Sequence, residues 1–325
     1  MSVISVAGLR KTYGSTVAVD DLSFEVHEGE VYALLGHNGA GKSTTVEILE
    51  GHRHRTSGEV SVLGMDPATG SRELRDRVGI VLQSSGIEPE LTVREAVRLY
   101  GSCYRSPRPL DDVIDLVGLE GKVDARIGSL SGGQRRRIDL ALGIVGRPEV
   151  VFLDEPTTGF DAGARRRSWD LVRSLCADGT TVLLTTHYLD EAEHLADRVG
   201  VMVNGSMVAE GSPEDLIGSM PDTVVSFVVD RGADLATLAV SLPAVSHLLD
   251  SSHGGRIEFR SSTPTADVHA VTSWALQHDV ELHSLSVQRP SLEDVFLELS
   301  STDGRHTDDS TNPSDTSDES MAGDQ

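Results

Sequence analysis

Lysine is nearly missing from this chain. Only Lys11, Lys42 and Lys122 occur among 28 basic side chains, against 51 acidic ones, for a formal charge of −23 over 325 residues. So acidic a balance excludes a general nucleic-acid binder, because proteins that track phosphates need basic surface. A GC-rich genome and a high-salt cytoplasm would each produce this bias, and composition leaves both open. Cysteine is equally scarce. Cys103 and Cys176 have no CxxC partner and no histidine cluster beside them, which excludes a disulfide framework and a structural zinc site. Both are expected as buried thiols. His52 and His54 lack companions at ligand spacing, so no metal is assigned to them. Long hydrophobic runs are absent too: stretches such as Val224-Val225 and Phe227-Val228-Val229 around Ser226 fall far short of the ~20 residues that cross a bilayer. Met1 to Gly8 shows no basic segment leading into an apolar one, so no cleaved signal is expected and a cytoplasmic location is predicted.

Composition breaks near Pro221 and Ser300 divide what is there into three parts. Residues 1–220 alternate short β-branched runs with helical patterns, which predicts an α/β domain with a largely parallel sheet. Strands are expected at Val31–Leu35, Val78–Leu82, Val150–Leu153, Thr181–Leu184 and Val199–Val203. Between them, Val93, Ala96, Val97, Tyr100 and Val113, Leu116, Val117 keep helical spacing, so a helical subdomain is expected at about 86–134. Residues 221–300 read strand (223–230), helix (234–241), strand (245–250), strand (256–260), helix (265–278), strand (281–287), with a His253-Gly254-Gly255 turn between the middle strands. That βαββαβ order predicts a small ferredoxin-like α+β module. A last amphipathic helix, Ser291 to Leu299, should pack back onto the body. Residues 301–325 hold seven acids, one arginine and almost no large apolar side chain, the composition of a disordered acidic tail.

The chemistry is concentrated in three segments. Directly after Val31-Tyr32-Ala33-Leu34-Leu35 comes GHNGAGKST, in which Gly36, Gly41, Lys42 and Ser43 satisfy GxxxxGK[ST]. Such a loop gathers backbone N–H groups on a polyphosphate, so it needs glycines and a following helix whose N-terminus favours anions. Lys42 is placed to reach the phosphates and Ser43 to ligate Mg²⁺. Val150-Val151-Phe152-Leu153-Asp154-Glu155 is a buried-strand run ending in two carboxylates. At the carboxyl edge of a parallel sheet, Asp154 is placed to hold Mg²⁺ and Glu155 to polarise an attacking water. Leu130-Ser131-Gly132-Gly133-Gln134 starts a helix with Ile138, Ala141, Leu142 and Val145 on one face. Ser131 is its natural N-cap, so this helix start is a second anion cradle, able to close over a nucleotide bound to another copy. Arg135–Arg137 and Arg165–Arg167 lie on helices of an acidic protein and are expected as solvated faces or subunit contacts.

These motifs together resemble the ATP-binding subunit of an ABC transporter, a P-loop NTPase fold. LSGGQ is similar to the family signature, GHNGAGKST and VVFLDEP to its Walker A and B motifs, and Gln83 in VLQSS to its Q-loop. His187 in TTHYLDEAE resembles the switch histidine, Tyr13 in KTYG the aromatic that stacks on adenine, and Asp161 in TTGFDAG the D-loop. The likeness runs through residues 1 to about 217. PSLEDVFLELS, with Pro290, Leu292, Asp294 and Phe296, further resembles the daunorubicin-resistance and multidrug branch of ABC-2 exporters. Two departures concern loop stiffness: His37 stands where this branch often has proline, and Ala162 follows Asp161 where proline is common.

The resemblance implies an ATP hydrolase using ATP and Mg²⁺. Glu155, His187 and Gln83 would be catalytic. Tyr13, Gly36, Asn38, Gly39, Gly41, Lys42, Ser43 and Thr44 would bind the nucleotide, with Ser131, Gly133 and Asp161 contributed by the other copy of a head-to-tail dimer. Ser43, Gln83 and Asp154 would hold the metal. A separate ABC-2-type permease, docking near residues 84–105, would bring the chain to the cytoplasmic face of the membrane for export of a drug or other hydrophobic compound. Two rivals stay open: a soluble ABC-type ATPase uncoupled from transport, and a ligand-sensing regulatory module.

Overall fold

The computed structural model describes residues 1–81, 86–158, 160–219, 223–229 and 256–303. The first part runs β1 (Ser2–Tyr13), β2 (Thr16–His27), β3 (Val31–Leu35), α1 (Lys42–Leu49), β4 (Ser57–Val62), α2 (Arg72–Arg77) and β5 (Val78–Val81). Next come α3 (Val93–Gly101), α4 (Leu110–Val117), α5 (Gly132–Ile144), β6 (Val150–Asp154), α6 (Ala162–Ala177), β7 (Thr181–Thr186) and α7 (Leu189–Leu195). Then β8 (Arg198–Val203), β9 (Ser206–Gly211) and α8 (Pro213–Gly218) precede β10 (Thr223–Val228), β11 (Arg256–Ser261), α9 (Pro264–Gln277), β12 (His283–Gln288) and α10 (Leu292–Asp303).

The central sheet has the order β5-β6-β7-β3-β8-β9, parallel except for β9. Both of its faces are covered, which is why its inner strands β3, β6, β7 and β8 are buried along nearly all their length. Alternation within a strand sends successive side chains to different cores. Val31, Ala33 and Leu35 join one core with the helices, while Tyr32 and Leu34 join the other. Val151 and Leu153 part from Val150 and Phe152 in the same way. Because these strands are parallel, the residues that follow β3, β6 and β7 emerge at one edge.

A second sheet, β2-β1-β4, is antiparallel and covers one face together with α1. It was not among the expected strands. Tyr13 pairs with Thr16 across the β1–β2 turn, which sets the aromatic at a hairpin tip. On the other face α3, α4 and α5 form the expected helical insertion. The joint between α5 and β5 is unusually close: a Cβ on Gly79 would lie 2.1 Å from the Gly143 carbonyl oxygen. Beyond α3, Tyr104 packs against the core and Cys103 is exposed, against the expectation of a buried thiol. Cys176 is half-buried, and burial pushes its thiol up to about 12.

In the C-terminal part, β10 lies between β11 and β12 and pairs antiparallel with both. The strands expected at 223–230, 256–260 and 281–287 are thus present, with the earliest of them in the centre. The helix expected at 234–241, the strand at 245–250 and the 253–255 turn lie outside the described residues. Val225, Phe227, Ile257, Phe259, Val271 and Trp274 make a separate small core. Leu292 and Val295 of α10, fully or nearly buried, join the main core instead. The helix runs to Asp303, slightly past the expected Leu299.

Candidate functional site

The loop leaving β3 enters α1 through Gly41, whose φ is +101° and whose Cβ, if present, would lie 2.5 Å from the Ala18 carbonyl oxygen. Glycine alone fits there. Lys42 is 5% exposed, and its Nζ donates to the carbonyls of Gly36 at 2.6 Å and His37 at 3.2 Å. Burial lowers the affinity of this ammonium for its proton, while Glu155 and Asp154 pull the other way. A buried cation beside free helix-terminal N–H groups favours an anion on two counts. An open groove of about 480 Å³ runs along the loop, lined by Ala18, Asn38, Gly39, Gly41, Lys42, Ser43 and Thr44, with Glu155 opposite.

Glu155 is fixed from several sides. Its N–H donates to the Thr185 carbonyl at 3.1 Å, and Thr185 Oγ1 donates to Asp154 Oδ1 at 2.5 Å. Its φ of +45° lies in the left-handed region, a conformation that costs a non-glycine residue about 1–3 kcal/mol. Oε1 lies 2.9 Å from His187 Nδ1, and Oε2 accepts from Thr158 Oγ1 at 3.2 Å. The His187 ring rests on Tyr188, with centroids 4.1 Å apart. The Arg165 guanidinium sits 4.8 Å from the Tyr188 ring centre and donates to Asp190 at 2.7 Å.

Of Arg135–Arg137, expected as a solvated face or subunit contact, Arg136 departs from the expectation. It is 6% exposed, and its guanidinium donates to the carbonyls of Asp154 at 2.9 Å, Glu155 at 3.1 Å and Pro156 at 3.0 Å. Bonds from a charged donor are worth about 1.5–3 kcal/mol each, enough to offset the backbone conformation at Glu155. Sequence pattern only hints at this: three consecutive helical residues point about 100° apart and cannot all share one face, but which of them is buried is not written in the residue type. Arg136 shares its helix face with Leu140 and Gly143, both buried.

The remaining expected residues are distributed around this centre. Ser131 caps α5, its Oγ accepting from Gln134 N–H at 3.3 Å while Gln134 Oε1 accepts from Ser131 N–H at 3.0 Å. A Cβ on Gly133 would meet nothing within 4 Å, so the approach to this helix start is open. Asp161 caps α6, accepting from Ala164 N–H at 2.7 Å. Neither Ser131, Gly133 nor Asp161 lines the Lys42 groove. Tyr13 is 41% exposed, with Lys11 Nζ 4.8 Å and the Arg53 guanidinium 5.3 Å from its ring centre. Gln83 lies outside the described residues.

The described residues include no cluster of three or more His, Cys, Asp or Glu able to hold a metal by themselves. Ser43 and Asp154 offer hydroxyl and carboxylate oxygens, the donors that Mg²⁺ takes when substrate phosphates and water complete its shell. The residues present therefore fit a metal that arrives with a phosphate. A second hollow, about 400 Å³, lies between the end of α1, α2 and the segment after α3, lined by Leu49, Leu74, Ile80, Tyr100, Tyr104 and Leu142. Glu50 and His52 border it, their side chains 3.1 Å apart. Burial, with Asp154 and Glu47 nearby, pushes the Glu50 carboxyl up to about 8.

Residues 19–158 match the ABC transporter family, and residues 223–291 match an ABC transporter domain-containing protein-like C-terminal domain. A Nod factor export ATP-binding protein of Burkholderia lata is 38% identical over 302 residues, covering 91% of this chain and 96% of its own length. The chain belongs to the ABC transporter ATP-binding family. Another ABC relative is the daunorubicin resistance ATP-binding protein DrrA3 of Streptomyces coeruleorubidus, 35% identical over 310 residues, which cover 94% of this chain and 98% of that one. Among solved ABC cassettes, a dimeric post-hydrolysis structure bound to ADP and Pi superposes with a TM-score of 0.59 at 25% identity, covering 64% of this chain and 98% of that one. The ABC chain is thus an ATP-binding and ATP-hydrolysing subunit of the branch that holds these two relatives. The P-loop NTPase fold read from its sequence is the fold observed. Among the described residues, no helix of this ABC subunit is long and apolar enough to cross a membrane.

Proposed function

We propose that this subunit hydrolyses Mg-ATP in the Lys42 groove and so drives an exporter through a separate ABC-2-type permease. One observation carries the reading: Glu155, hydrogen-bonded to His187, faces the buried Lys42 ammonium across the groove. That juxtaposition sets a proton acceptor beside a phosphate anchor. Lys42 and the N–H groups of Gly39 to Thr44 bind the β- and γ-phosphates, and Tyr13 stacks on the adenine. Ser43 and Asp154, with Gln83, would hold Mg²⁺, and the ion would supply neutralisation of charge on the phosphoryl group. Glu155 accepts the proton of the attacking water, and His187 holds the carboxylate in place and faces the γ-phosphate. General-base catalysis of this kind contributes about 10²–10⁴-fold.

Ser131, Gly133 and Asp161 stand away from the groove of their own copy, which suits them to a nucleotide held by another. Two copies then join head to tail over two ATP molecules, and cleavage places repelling charges between them. The dimeric solved relative supports such a pairing. Opening and closing does useful work only on a membrane-spanning partner, so the subunit is assigned to the cytoplasmic face of the membrane. The hollow edged by Tyr100 and Tyr104 suits an apolar segment of that permease, close to the docking region expected from sequence. The names of the two relatives support a drug or other hydrophobic compound as cargo.

The test is assembly. Glu155→Gln should retain ATP binding, lose turnover by about 10²–10⁴-fold, and accumulate as a Mg-ATP dimer in sedimentation. A variant that stays monomeric in saturating Mg-ATP, alone and with the permease, would sink this reading.

A further inference from the structure

Arg136 has no part in the reaction as set out above, yet it is among the most buried charged groups in the chain. Five residues earlier stands Ser131, the exposed N-cap of the same helix. At its other end the guanidinium gathers three successive carbonyls, Asp154 O, Glu155 O and Pro156 O, at 2.9–3.1 Å. Nη1 is also 3.8 Å from Asp139 Oδ2, one helical turn on, which directs the planar fork. Three carbonyls converging on one rigid donor define the path of that backbone, and Glu155 lies in its middle with a left-handed φ. A shift of the first turn of α5 therefore moves the peptide that carries the Glu155 side chain.

We propose that Arg136 is a positioning residue that couples the Ser131 turn to Glu155, so that a nucleotide held by a second copy aligns this copy's own proton acceptor. The inference rests on the reading of Glu155 and Ser131 given above. Water is then activated only in a copy whose α5 is engaged, and the two sites of the dimer fire as a closed unit. Arg136 is not among the residues lining the Lys42 groove, and in this reading it acts through the carbonyls it holds.

Arg136→Lys tests this in the full chain, because one ammonium keeps the charge but cannot span three carbonyls. ATP affinity, and the Mg-ATP dimerisation constant measured with Glu155→Gln also present, should stay within about threefold, while kcat with Glu155 intact falls by roughly 10- to 100-fold, the loss expected from an ångström-scale misplacement. An unchanged kcat, or losses of affinity and dimerisation that parallel the loss of kcat, overturns the proposal. If Arg136→Lys does not fold, amide hydrogen exchange with Arg136 intact decides. In the Glu155→Gln chain, Mg-ATP should slow exchange at residues 155, 157 and 158, and adding Ser131→Asp, which keeps the helix cap but repels phosphate, should remove that slowing while ATP still binds. Slowing that survives Ser131→Asp overturns the coupling. Wild-type turnover in Glu155→Gln would instead fault the assignment of the proton acceptor, a separate failure.

Discussion

Nδ1 of His187 and Oε1 of Glu155 stand 2.9 Å apart, on the segments that follow the neighbouring parallel strands β6 and β7. Strand pairing brings them together: Asp154 sits opposite Thr185, so the residues after each come into reach. With Nδ1 donating to the carboxylate, Nε2 is the ring's remaining polar atom. A second constraint comes from Tyr188, whose ring packs at a tilt against the imidazole and is itself met by Arg165.

Replacing His187 by alanine should therefore slow hydrolysis by about 10²-fold or more while ATP affinity changes little. Steady-state kinetics beside equilibrium nucleotide binding measure the two effects separately. The same change at His194, which lies against Trp169 on the far side of α7, serves as the control and should leave kcat unaltered.

Glu50 should make stability depend on pH. Its carboxyl is raised from 4.5 to about 8 by burial and by Asp154 and Glu47, with His52 as the facing base. The folded chain thus keeps a proton that the unfolded chain releases. The stabilisation is complete below about 4.5 and is lost as pH rises through about 8. Glu50→Gln removes this loss. In buffer with EDTA, the thermal midpoint of the variant should gain on that of the unaltered chain between pH 5 and 9. A constant difference across that range contradicts the argument.

At Gly79 a methyl group meets backbone rather than a yielding side chain, the Gly143 carbonyl oxygen at 2.1 Å. Gly79→Ala should force β5 and α5 apart and cost about 1–3 kcal/mol, read as a lower urea midpoint with an unchanged slope.

Much of the architecture was legible because it follows from burial on two faces. β3, β6, β7 and β8 are buried along nearly all their length and each carries a short apolar stretch, which, bounded by turns, reads as a parallel strand. The antiparallel sheet hid behind irregularity. β1 shifts register between Val6 and Leu9, around Gly8 with φ +58°, and β2 carries Asp21 at φ +50°, so neither shows a clean period of two. The loop glycines, Lys42 and the carboxylates after β6 announced themselves by residue type. Arg136 did not, because a buried charge and a solvated one look alike until the carbonyls that receive it are known. Cys103 was misplaced for the opposite reason: residue type suggested burial, but its place in a turn beside Tyr104 decided the matter.

The return of α10 binds the two ends of the fold into a single mechanical object. Leu292 and Val295 complete a core begun some 260 residues earlier by Val31 and Ala33. A protein shortened just before α10 would bare an oily scar on α7, α8 and β8 and tend to clump, even with every nucleotide-facing residue retained. The accessory segment is therefore a clasp as well as an appendage, and any force applied to it is delivered to the seat of the ATPase sheet.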